Sequence, residues 1–136
     1  MSEGKCDLGV TGQDTIAEYE AQIPPTDNTG VREILDLSFG KCKLQVQAPE
    51  NGDIKEPKDL IGKNVVTSFT NLTEEYFRKL EAEQDGVEDS RDRKLRTNVK
   101  YVGGSVEAAC ALGVADGIVD LVGTYNTCDL FIRRTC

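Results

Sequence analysis

The stretch NVVTSFTNLTEEYFRKLEAE, residues 64–83, decides the fold that this sequence predicts. Its first part, NVVTSF (64–69), is short, apolar and rich in valine, as expected of a buried strand. Its second part, NLTEEYFRKLEAE (71–83), spaces its large apolar residues as an amphipathic helix does. Four side chains fall on one face of this helix: Leu72, Tyr76, Phe77 and Leu80. The stretch therefore predicts a strand that leads into a helix lying on a sheet.

Strands and helices continue to alternate after this stretch. NVKYVGG (98–104) predicts a strand, and SVEAACALG (105–113) predicts a compact helix with Ser105 as its N-cap and Gly113 at its end. DGIVDLV (116–122) is apolar and predicts the last strand.

The residues before the stretch predict further strands. REILDLSFGKCKLQVQAP (32–49) contains two strand-like pieces, and the alternation in LQVQAP indicates that one face of that strand is wet or lines a cleft. From Lys41 onward the predicted order is β-loop-β-α-β-α-β. This order predicts an α/β layer around a largely parallel sheet.

Two other regions have distinct patterns. CDLGVTG (6–12) predicts a short strand closed by glycine, and Asp14 to Ala21 predicts a helix that Thr11 or Asp14 could cap. Residues 84–97 are charged and almost devoid of large apolar side chains, so we expect a mobile, solvated loop there.

The composition limits the classes of protein to which this chain can belong. The chain has 136 residues, about the size of one ordinary domain, and its 24 acidic against 16 basic residues give a net charge of −8. Such a chain repels nucleic acid and anionic membranes. No apolar run approaches the length of a membrane span, no secretory signal is recognisable, and the five scattered cysteines include no CxxC pair. We therefore expect a cytoplasmic protein with reduced thiols.

The sequence contains no histidine. This excludes Ser-His and Cys-His catalysis and removes the commonest zinc ligand. Any chemistry must come from carboxylates, backbone dipoles, Lys or Arg, or a bound metal-phosphate.

Three junctions between predicted elements are candidate ligand sites, because ligands of open α/β sheets bind beyond the carboxyl ends of strands. They are LGVTG (8–12), TSFTNL (67–72) and VGGSVE (102–107). Each offers unpaired N–H groups that suit an anion, although a glycine before a helix is also the ordinary mark of a tight turn. The candidate residues at these junctions are Thr11, Gly12, Ser68, Asn71, Gly104 and Ser105.

Two carboxylates in the last predicted strand form a further candidate. Asp116 and Asp120 lie four residues apart, so both side chains point to the same face of a strand. They could bind Mg²⁺, ribose hydroxyls or a proton. Asp116 could equally begin the strand in water. Asp120 lies inside the apolar run IVDLV, where an unpaired carboxylate is costly, and we expect it to face a site.

Four longer motifs, in this order, resemble the central part of ATP phosphoribosyltransferase, most closely its fungal form. The resemblance runs from Glu3 to Val122, apart from loops, and the motifs are EGKCDLGVTGQD, LDLSFGKCKLQVQAP, LIGKNVVTSFTNLTEEYF and GGSVEAACALGVADGIVDLV. It implies transfer of a phosphoribosyl group from phosphoribosyl pyrophosphate to N1 of the ATP adenine, the first step of histidine biosynthesis. Mg²⁺ would arrive with phosphoribosyl pyrophosphate, and no nucleophilic side chain is required.

The resemblance also implies a fold and its division. The family has two α/β lobes of the type II periplasmic-binding-protein class, with the substrates in the cleft between them. Residues 1–40 would be part of the first lobe and residues 41–122 most of the second, on the phosphoribosyl-binding side. The resemblance leaves a homo-oligomer open.

Site residues carry over from the family position by position. Asp120, Leu121 and Val122 match the strand that leads into the family's phosphate loop, of the type Glu-Ser-Gly-x-Thr. The match is lost from Gly123 onward: Thr124 and Thr127 could donate hydroxyls, but Tyr125 replaces a glycine. The backbone of residues 121–124 would hold the phosphate.

The other carried-over residues come from earlier in the chain. Thr11, Gly12 and Asp14 match the family's TGxD turn near the nucleotide. Residues 68–71 would line the cleft wall.

The abrupt loss of the family pattern suggests an origin for residues 123–136. Gly-Thr-Tyr can be encoded by a run that contains a splice donor, so we interpret this tail as translated intron. The chain also begins inside the first lobe, and we expect it to be inactive alone. The alternatives are a non-catalytic small-molecule binding module of the same fold and a non-functional gene-model fragment.

Overall fold

The structure, a computed structural model, describes residues 6–27, 29–50, 52–88, 93–123 and 132–135, the last group by its backbone alone. The chain divides into two compact units, one ending at Phe39 and one beginning at Gly40. No helix among the described residues is long and apolar enough to cross a membrane.

The first unit contains one regular element, helix α1 (Gln13–Gln22). The helix confirms the predicted one, but its N-cap is Gly12, and no side chain of Thr11 or Asp14 caps it. The predicted strand at 6–12 does not form, and neither does the first strand-like piece predicted within 32–49. A strand needs a paired neighbour, and none of the described residues pairs with these segments.

The second unit is a five-stranded mixed sheet with two α-helices and a short 3₁₀ helix (Pro57–Leu60). Its order along the chain is β1 (Cys42–Pro49), β2 (Asn64–Thr67), α2 (Thr70–Asp85), β3 (Asn98–Tyr101), α3 (Val106–Ala111), β4 (Gly117–Gly123) and β5 (Ile132–Thr135). The strands lie side by side in the order β3-β2-β4-β1-β5. This confirms the predicted alternation of strands and helices.

The pairing directions add two features that the sequence did not predict. β2 pairs in parallel with both β3 and β4, but β1 pairs antiparallel with β4. β5 pairs in parallel with β1, so the predicted last strand, β4, is not the last.

Each face of the sheet is covered by one helix. One core cluster joins Phe77 of α2 to Val65 of β2 and Val119 of β4. A second joins Val106 of α3 to the neighbouring residues Val66 and Ile118. Because successive residues of a strand point to opposite faces, α2 and α3 lie on opposite sides of the sheet.

This two-sided burial rules out a wet face at residues 46–48 of β1, which was one of the two alternatives that the alternation in LQVQAP left open. Val46, Gln47 and Ala48 are consecutive and all buried. The apolar face predicted for α2 is confirmed in part, since Phe77 is fully buried and Tyr76 and Leu80 pack against the same cluster.

A buried carboxylate fixes the segment that leads from α2 back to the sheet. Glu81, 1% exposed, accepts hydrogen bonds from the backbone N–H of Arg96 at 3.0 Å and of Thr97 at 3.0 Å. The Thr97 hydroxyl also donates to Glu81, at 2.8 Å. Desolvation raises the pKa of Glu81, but these hydrogen bonds and the Arg96 charge outweigh it and hold that pKa below its usual value.

These contacts correct the expectation of a mobile loop at 84–97. The guanidinium groups of Arg93 and Arg96 both pair with Asp85 near the end of α2, and Leu95 packs against the core. The described residues 93–97 are therefore bound to α2. The sequence misled because charged residues next to a helix end can form ion pairs as readily as they form a solvated loop.

We expect Glu81→Gln to lower the free energy of unfolding by about 1–3 kcal/mol, because an amide cannot accept all of these bonds and brings its own N–H groups against buried donors. Urea denaturation followed by circular dichroism measures the change. Glu83→Gln is the matched control, since its exposed carboxylate lies 3.9 Å from Lys58 Nζ and contributes little. Equal losses in both variants would contradict a special role for Glu81.

The lowered pKa of Glu81 also predicts a pH dependence. The unfolded chain, with an ordinary glutamate pKa of about 4.3, binds this proton more readily than the folded chain does, so the contribution to stability is present above that pH and is lost as pH falls through the folded pKa. Between about pH 5 and 3, the parent should lose stability more steeply than Glu81→Gln. Parallel slopes, measured by urea denaturation at each pH, would be evidence against the assignment.

Candidate ligand-binding site

Two turns and the extension of β4 lie at one edge of the sheet, because β2, β3 and β4 run parallel. Thr67 is the last residue of β2 and lies opposite Tyr101 of β3 and Val119 of β4. Beyond this row the chain enters α2 through Ser68, enters α3 through residues 102–105, and continues along β4. The candidate residues of the last two predicted junctions thus follow neighbouring strand ends.

β4 is longer than β2 and extends past it. Residues 120–123 pair with β1, in a register that places Asp120 opposite Gln45. On the other side of this extension β2 has already ended, so no described strand pairs with it there. The extension forms a step past the end of β2, half-buried at residues 120–122 and exposed at Gly123, at the edge where the turns leave β2 and β3.

Asp120 is the first residue of this step. Its side chain is half-buried and lies on the α3 face of the sheet, as does that of Ile118 two residues earlier. One carboxylate oxygen, Oδ1, accepts a hydrogen bond from the backbone N–H of Leu121 at 2.8 Å. Within the described part of the chain, neither Lys nor Arg forms an ion pair with Asp120.

Asp116 lies at the opposite edge. It precedes β4, and its Oδ2 accepts hydrogen bonds from the backbone N–H of Asn64 at 2.9 Å and from the Asn64 amide nitrogen at 3.5 Å. The backbone of Asp116 also donates to the Asn64 carbonyl. These bonds fix the start of β4 against the start of β2. Four strand residues span about 13 Å, so the structure does not bring the two carboxylates together.

The turn after β3 has an unusual backbone. Gly104 has φ of +107° and Ser105 has φ of +51°, the second a left-handed conformation that costs a non-glycine residue about 1–2 kcal/mol. Ser105 does occupy the predicted N-cap position, but its side chain makes no capping hydrogen bond. A side chain added at Gly104 would meet nothing within 4 Å, so this face of the turn is open.

The turn after β2 contains the other candidates. Ser68 donates its hydroxyl hydrogen to the Val102 carbonyl at 2.7 Å, which ties the ends of β2 and β3 together. Asn71 lies in the first turn of α2 and is half-buried. Thr67, beside them, is fully buried, and its hydroxyl accepts a hydrogen bond from Phe69 N–H at 2.9 Å.

The remaining candidates lie elsewhere. Thr11 and Gly12 belong to the first unit, where both are exposed and the Gly12 carbonyl accepts from Ile16 N–H at 3.3 Å. Gly123 ends β4 and is exposed. Thr124, like Tyr125 and Thr127, lies outside the described residues. The described ranges contain no group of three or more Asp, Glu or Cys residues placed to hold a metal ion.

Sequence reasoning missed Gln45 as a member of this site. It is half-buried, lies opposite Asp120 and so points to the same face of the sheet. The alternation in LQVQAP did mark it as facing a cleft, but the antiparallel register that places it beside Asp120 could not be read from the sequence.

Comparison with known proteins decides the family. The family model described as ATP phosphoribosyltransferase matches residues 1–129. This chain belongs to the ATP phosphoribosyltransferase family. The resemblance found in the sequence motifs is thereby confirmed.

Curated ATP phosphoribosyltransferases of fungi are similar throughout most of the chain. Those of Yarrowia lipolytica and Debaryomyces hansenii are 53% and 51% identical over 127 residues, and that of Saccharomyces cerevisiae is 49% identical. Each alignment covers 93% of this chain but 38% of the relative. The chain thus spans little more than a third of the length of these ATP phosphoribosyltransferases.

A solved structure shares the fold. The ATP phosphoribosyl transferase (HisG:HisZ) complex from Thermotoga maritima contains a chain with a TM-score of 0.57 to this one at 23% identity. The superposition covers 90% of this chain and 48% of the other. The mixed α/β fold is therefore one that an ATP phosphoribosyltransferase structure also adopts.

The two carboxylates should respond differently to the same change. Asp120→Asn should leave the free energy of unfolding almost unchanged, because its carboxylate is half-buried and makes its hydrogen bond to the adjacent residue, Leu121. Asp116→Asn should lower the free energy of unfolding by about 1 kcal/mol, because it loses bonds to Asn64. Urea denaturation of both variants measures the difference, and a larger loss in Asp120→Asn would contradict these assignments.

Proposed function

We propose that this chain forms part of the substrate-binding site of an ATP phosphoribosyltransferase. Such an enzyme transfers the phosphoribosyl group from phosphoribosyl pyrophosphate to N1 of the ATP adenine, releases pyrophosphate and begins histidine biosynthesis. Membership of the family supports the proposal. The observation that carries it is the step where β4 extends past the last residue of β2. Asp120 is the first residue of this step, and the turns of residues 68–71 and 103–105 lie at the same edge of the sheet.

The proposed chemistry needs positioning and charge stabilisation rather than a nucleophile. The ribose carbon develops positive charge as pyrophosphate departs. The Asp120 carboxylate can accept hydrogen bonds from ribose hydroxyls and stabilise a nearby positive charge. The backbone N–H groups of residues 122–124 and of Ser105 would hold the 5-phosphate. The N–H groups of Leu121 and Gly104 are not available, because they donate to Asp120 Oδ1 and to the Val102 carbonyl.

Mg²⁺ enters this proposal as part of the substrate, bound to phosphoribosyl pyrophosphate. Its charge compensates for the pyrophosphate, which an acidic chain would otherwise repel. Asp120 has a carboxylate oxygen with which it can contact such a complex, whereas the Asp116 carboxylate is bound to Asn64.

We further infer a division into lobes of the type II periplasmic-binding class. Residues up to about 40 would contribute to the first lobe, with Thr11 and Gly12 near the nucleotide, and residues 41–122 would form most of the second. The boundary between compact units after Phe39 and the similarity to the Thermotoga maritima structure support this division. The interpretation of residues 123–136 as translated intron stays a prediction, and the family match extends to residue 129.

The proposal also implies a cellular location and a set of partners. The chain would work in the cytoplasm on ATP and phosphoribosyl pyrophosphate, without nucleic acid or membrane, and the proposal leaves a homo-oligomer open. The related Thermotoga maritima protein was solved as a complex of two proteins.

The 136-residue chain should bind phosphoribosyl pyrophosphate with Mg²⁺ but should form no adenine-N1 product, because it covers 38% of the length of its curated relatives. Calorimetric titration measures binding, and chromatography of a mixture with ATP measures product. Asp120→Asn is the control that should abolish saturable binding.

Each other outcome has a definite meaning. A folded chain that binds no phosphoribosyl pyrophosphate would overturn the proposal and favour a non-functional fragment. Saturable binding of other small molecules alone would favour a non-catalytic binding module. Formation of product would refute the expectation that the chain is inactive alone.

A further inference from the structure

The apolar core on the α3 face of the sheet ends at Ile118, and polar side chains follow it. Ile118 belongs to the core cluster that α3 covers, and the next side chain of β4 on the same face is that of Asp120. The antiparallel register places Gln47 of β1 opposite Ile118 and Gln45 opposite Asp120. Gln45, Gln47 and Asp120 therefore form one polar strip on this face.

The polar strip has hydrogen-bonding groups that the protein does not use. Gln47 is 8% exposed and Gln45 is half-buried, and neither side-chain amide makes a hydrogen bond within the described ranges. Asp120 accepts a bond from the Leu121 N–H at Oδ1, and its other oxygen makes no hydrogen bond in those ranges. A buried amide without a partner is costly, and proteins normally pair such groups. The strip is therefore suited to a polar ligand.

The charge of the strip decides which part of a sugar phosphate it fits. The Asp120 carboxylate repels a phosphate group but not a hydroxyl, which is neutral and both donates and accepts hydrogen bonds. An ionised Asp120 can only accept, whereas the Gln45 amide has two hydrogens to donate. The two side chains together thus offer the acceptor and the donor that one hydroxyl needs.

The spacing of the two side chains also fits a hydroxyl. Residues directly opposite each other in an antiparallel pair have Cβ atoms about 4.5–5.5 Å apart. Gln45 and Asp120 point to the same face at the place where β4 extends past the end of β2. A hydroxyl oxygen between the ends of these side chains can lie within hydrogen-bonding distance of both.

We propose that Gln45 is a specificity-determining residue, which donates its amide hydrogen to the same ribose hydroxyl that donates to Asp120 and so selects ribose phosphates over deoxyribose phosphates. This inference rests on the proposed function, in which Asp120 binds the ribose, and it adds the residue that makes this binding selective. A sugar that lacks the hydroxyl leaves both the amide and the carboxylate unpaired in a half-buried site. Sites that bind a hydroxyl with polar groups reject such analogues for that reason.

The test uses the 136-residue chain labelled with ¹⁵N, with ribose 5-phosphate and its 2-deoxy and 3-deoxy analogues as probes. Ribose 5-phosphate should shift the side-chain amide resonances of Gln45, which are assigned by their absence from Gln45→Met. The parent should bind at least one deoxy analogue more weakly than ribose 5-phosphate. Gln45→Met keeps the length of the side chain but loses the amide, so it should weaken affinity for ribose 5-phosphate about three- to tenfold.

The selectivity of the variant is the decisive measurement. The deoxy analogue that lacks the hydroxyl held by Gln45 should bind to the parent and to Gln45→Met with similar affinity. Gln84→Met is the matched control, because Gln84 is exposed in the last turn of α2, and it should leave all three affinities unchanged. If Gln45→Met does not fold, Gln45→Ala replaces it.

Two results would overturn the inference. Unchanged selectivity in Gln45→Met would show that its amide does not bind the hydroxyl. An equal loss of affinity for all three sugars would show that Gln45 supports the site without contacting a hydroxyl.

A parent chain that does not bind ribose 5-phosphate would count against the proposed function, and free ribose at higher concentration would then decide the role of Gln45. Ribose should still shift the Gln45 amide resonances, and 2-deoxyribose or 3-deoxyribose should shift them less. The absence of any shift with ribose would overturn the inference as well.

Discussion

The parallel pairing of β2 with both of its neighbours is the constraint on which the rest of this structure depends. Because β2, β3 and β4 run in one direction, α2 and α3 must each return the chain to the starting edge of the sheet. The turns that leave β2 and β3 therefore lie at the carboxyl edge of these three strands, and the segments that enter β3 and β4 lie at the other edge. The two edges can then serve different purposes.

The amino edge contains the bonds that stabilise the second unit. Glu81 binds the backbone that enters β3, and Asp116 binds the first residue of β2. Both carboxylates accept hydrogen bonds from backbone N–H groups. These N–H groups would otherwise lack a partner, because they lie where the strand pairing begins. The groups at the carboxyl edge have weaker restraints. Ser105 has a strained backbone with positive φ, and the Asp120 carboxylate accepts its hydrogen bond from the adjacent residue, Leu121. A ligand can complete what the protein leaves incomplete there.

The sequence predicted those parts of the structure that depend on local pattern. The strand and helix of residues 64–83 are found within two residues of the expected bounds, because the strand is apolar and the helix has a clear face. Residues 6–12 have an equally apolar pattern but form no strand, since pairing is not a local property. Residues 93–97 looked like a solvated loop, since no pattern shows that a buried Glu81 lies within reach.

The segments of the candidate site were predictable from local pattern, but the contacts between them were not. Glycine and serine before a helix, together with an aspartate inside an apolar strand, identified the segments that meet at the carboxyl edge. The separation of Asp116 from Asp120 follows from the predicted strand, because four strand residues span about 13 Å, but the sequence analysis grouped the two by face alone. The place of Gln45 depends on an antiparallel register with β4, which joins residues far apart in the chain.

Charge explains how such a site can hold its proposed ligand. The described segments at the carboxyl edge, SFTN, VGGS and DLVG, contain no lysine or arginine, and the whole chain has a net charge of −8. Within these segments a phosphate would depend on backbone N–H groups and polar side chains, which carry only partial charges and act over short distances, while Lys43 lies on β1 opposite Val122. Their positions then matter more than those of a flexible lysine would. Mg²⁺ bound to the proposed substrate would supply positive charge that these segments lack.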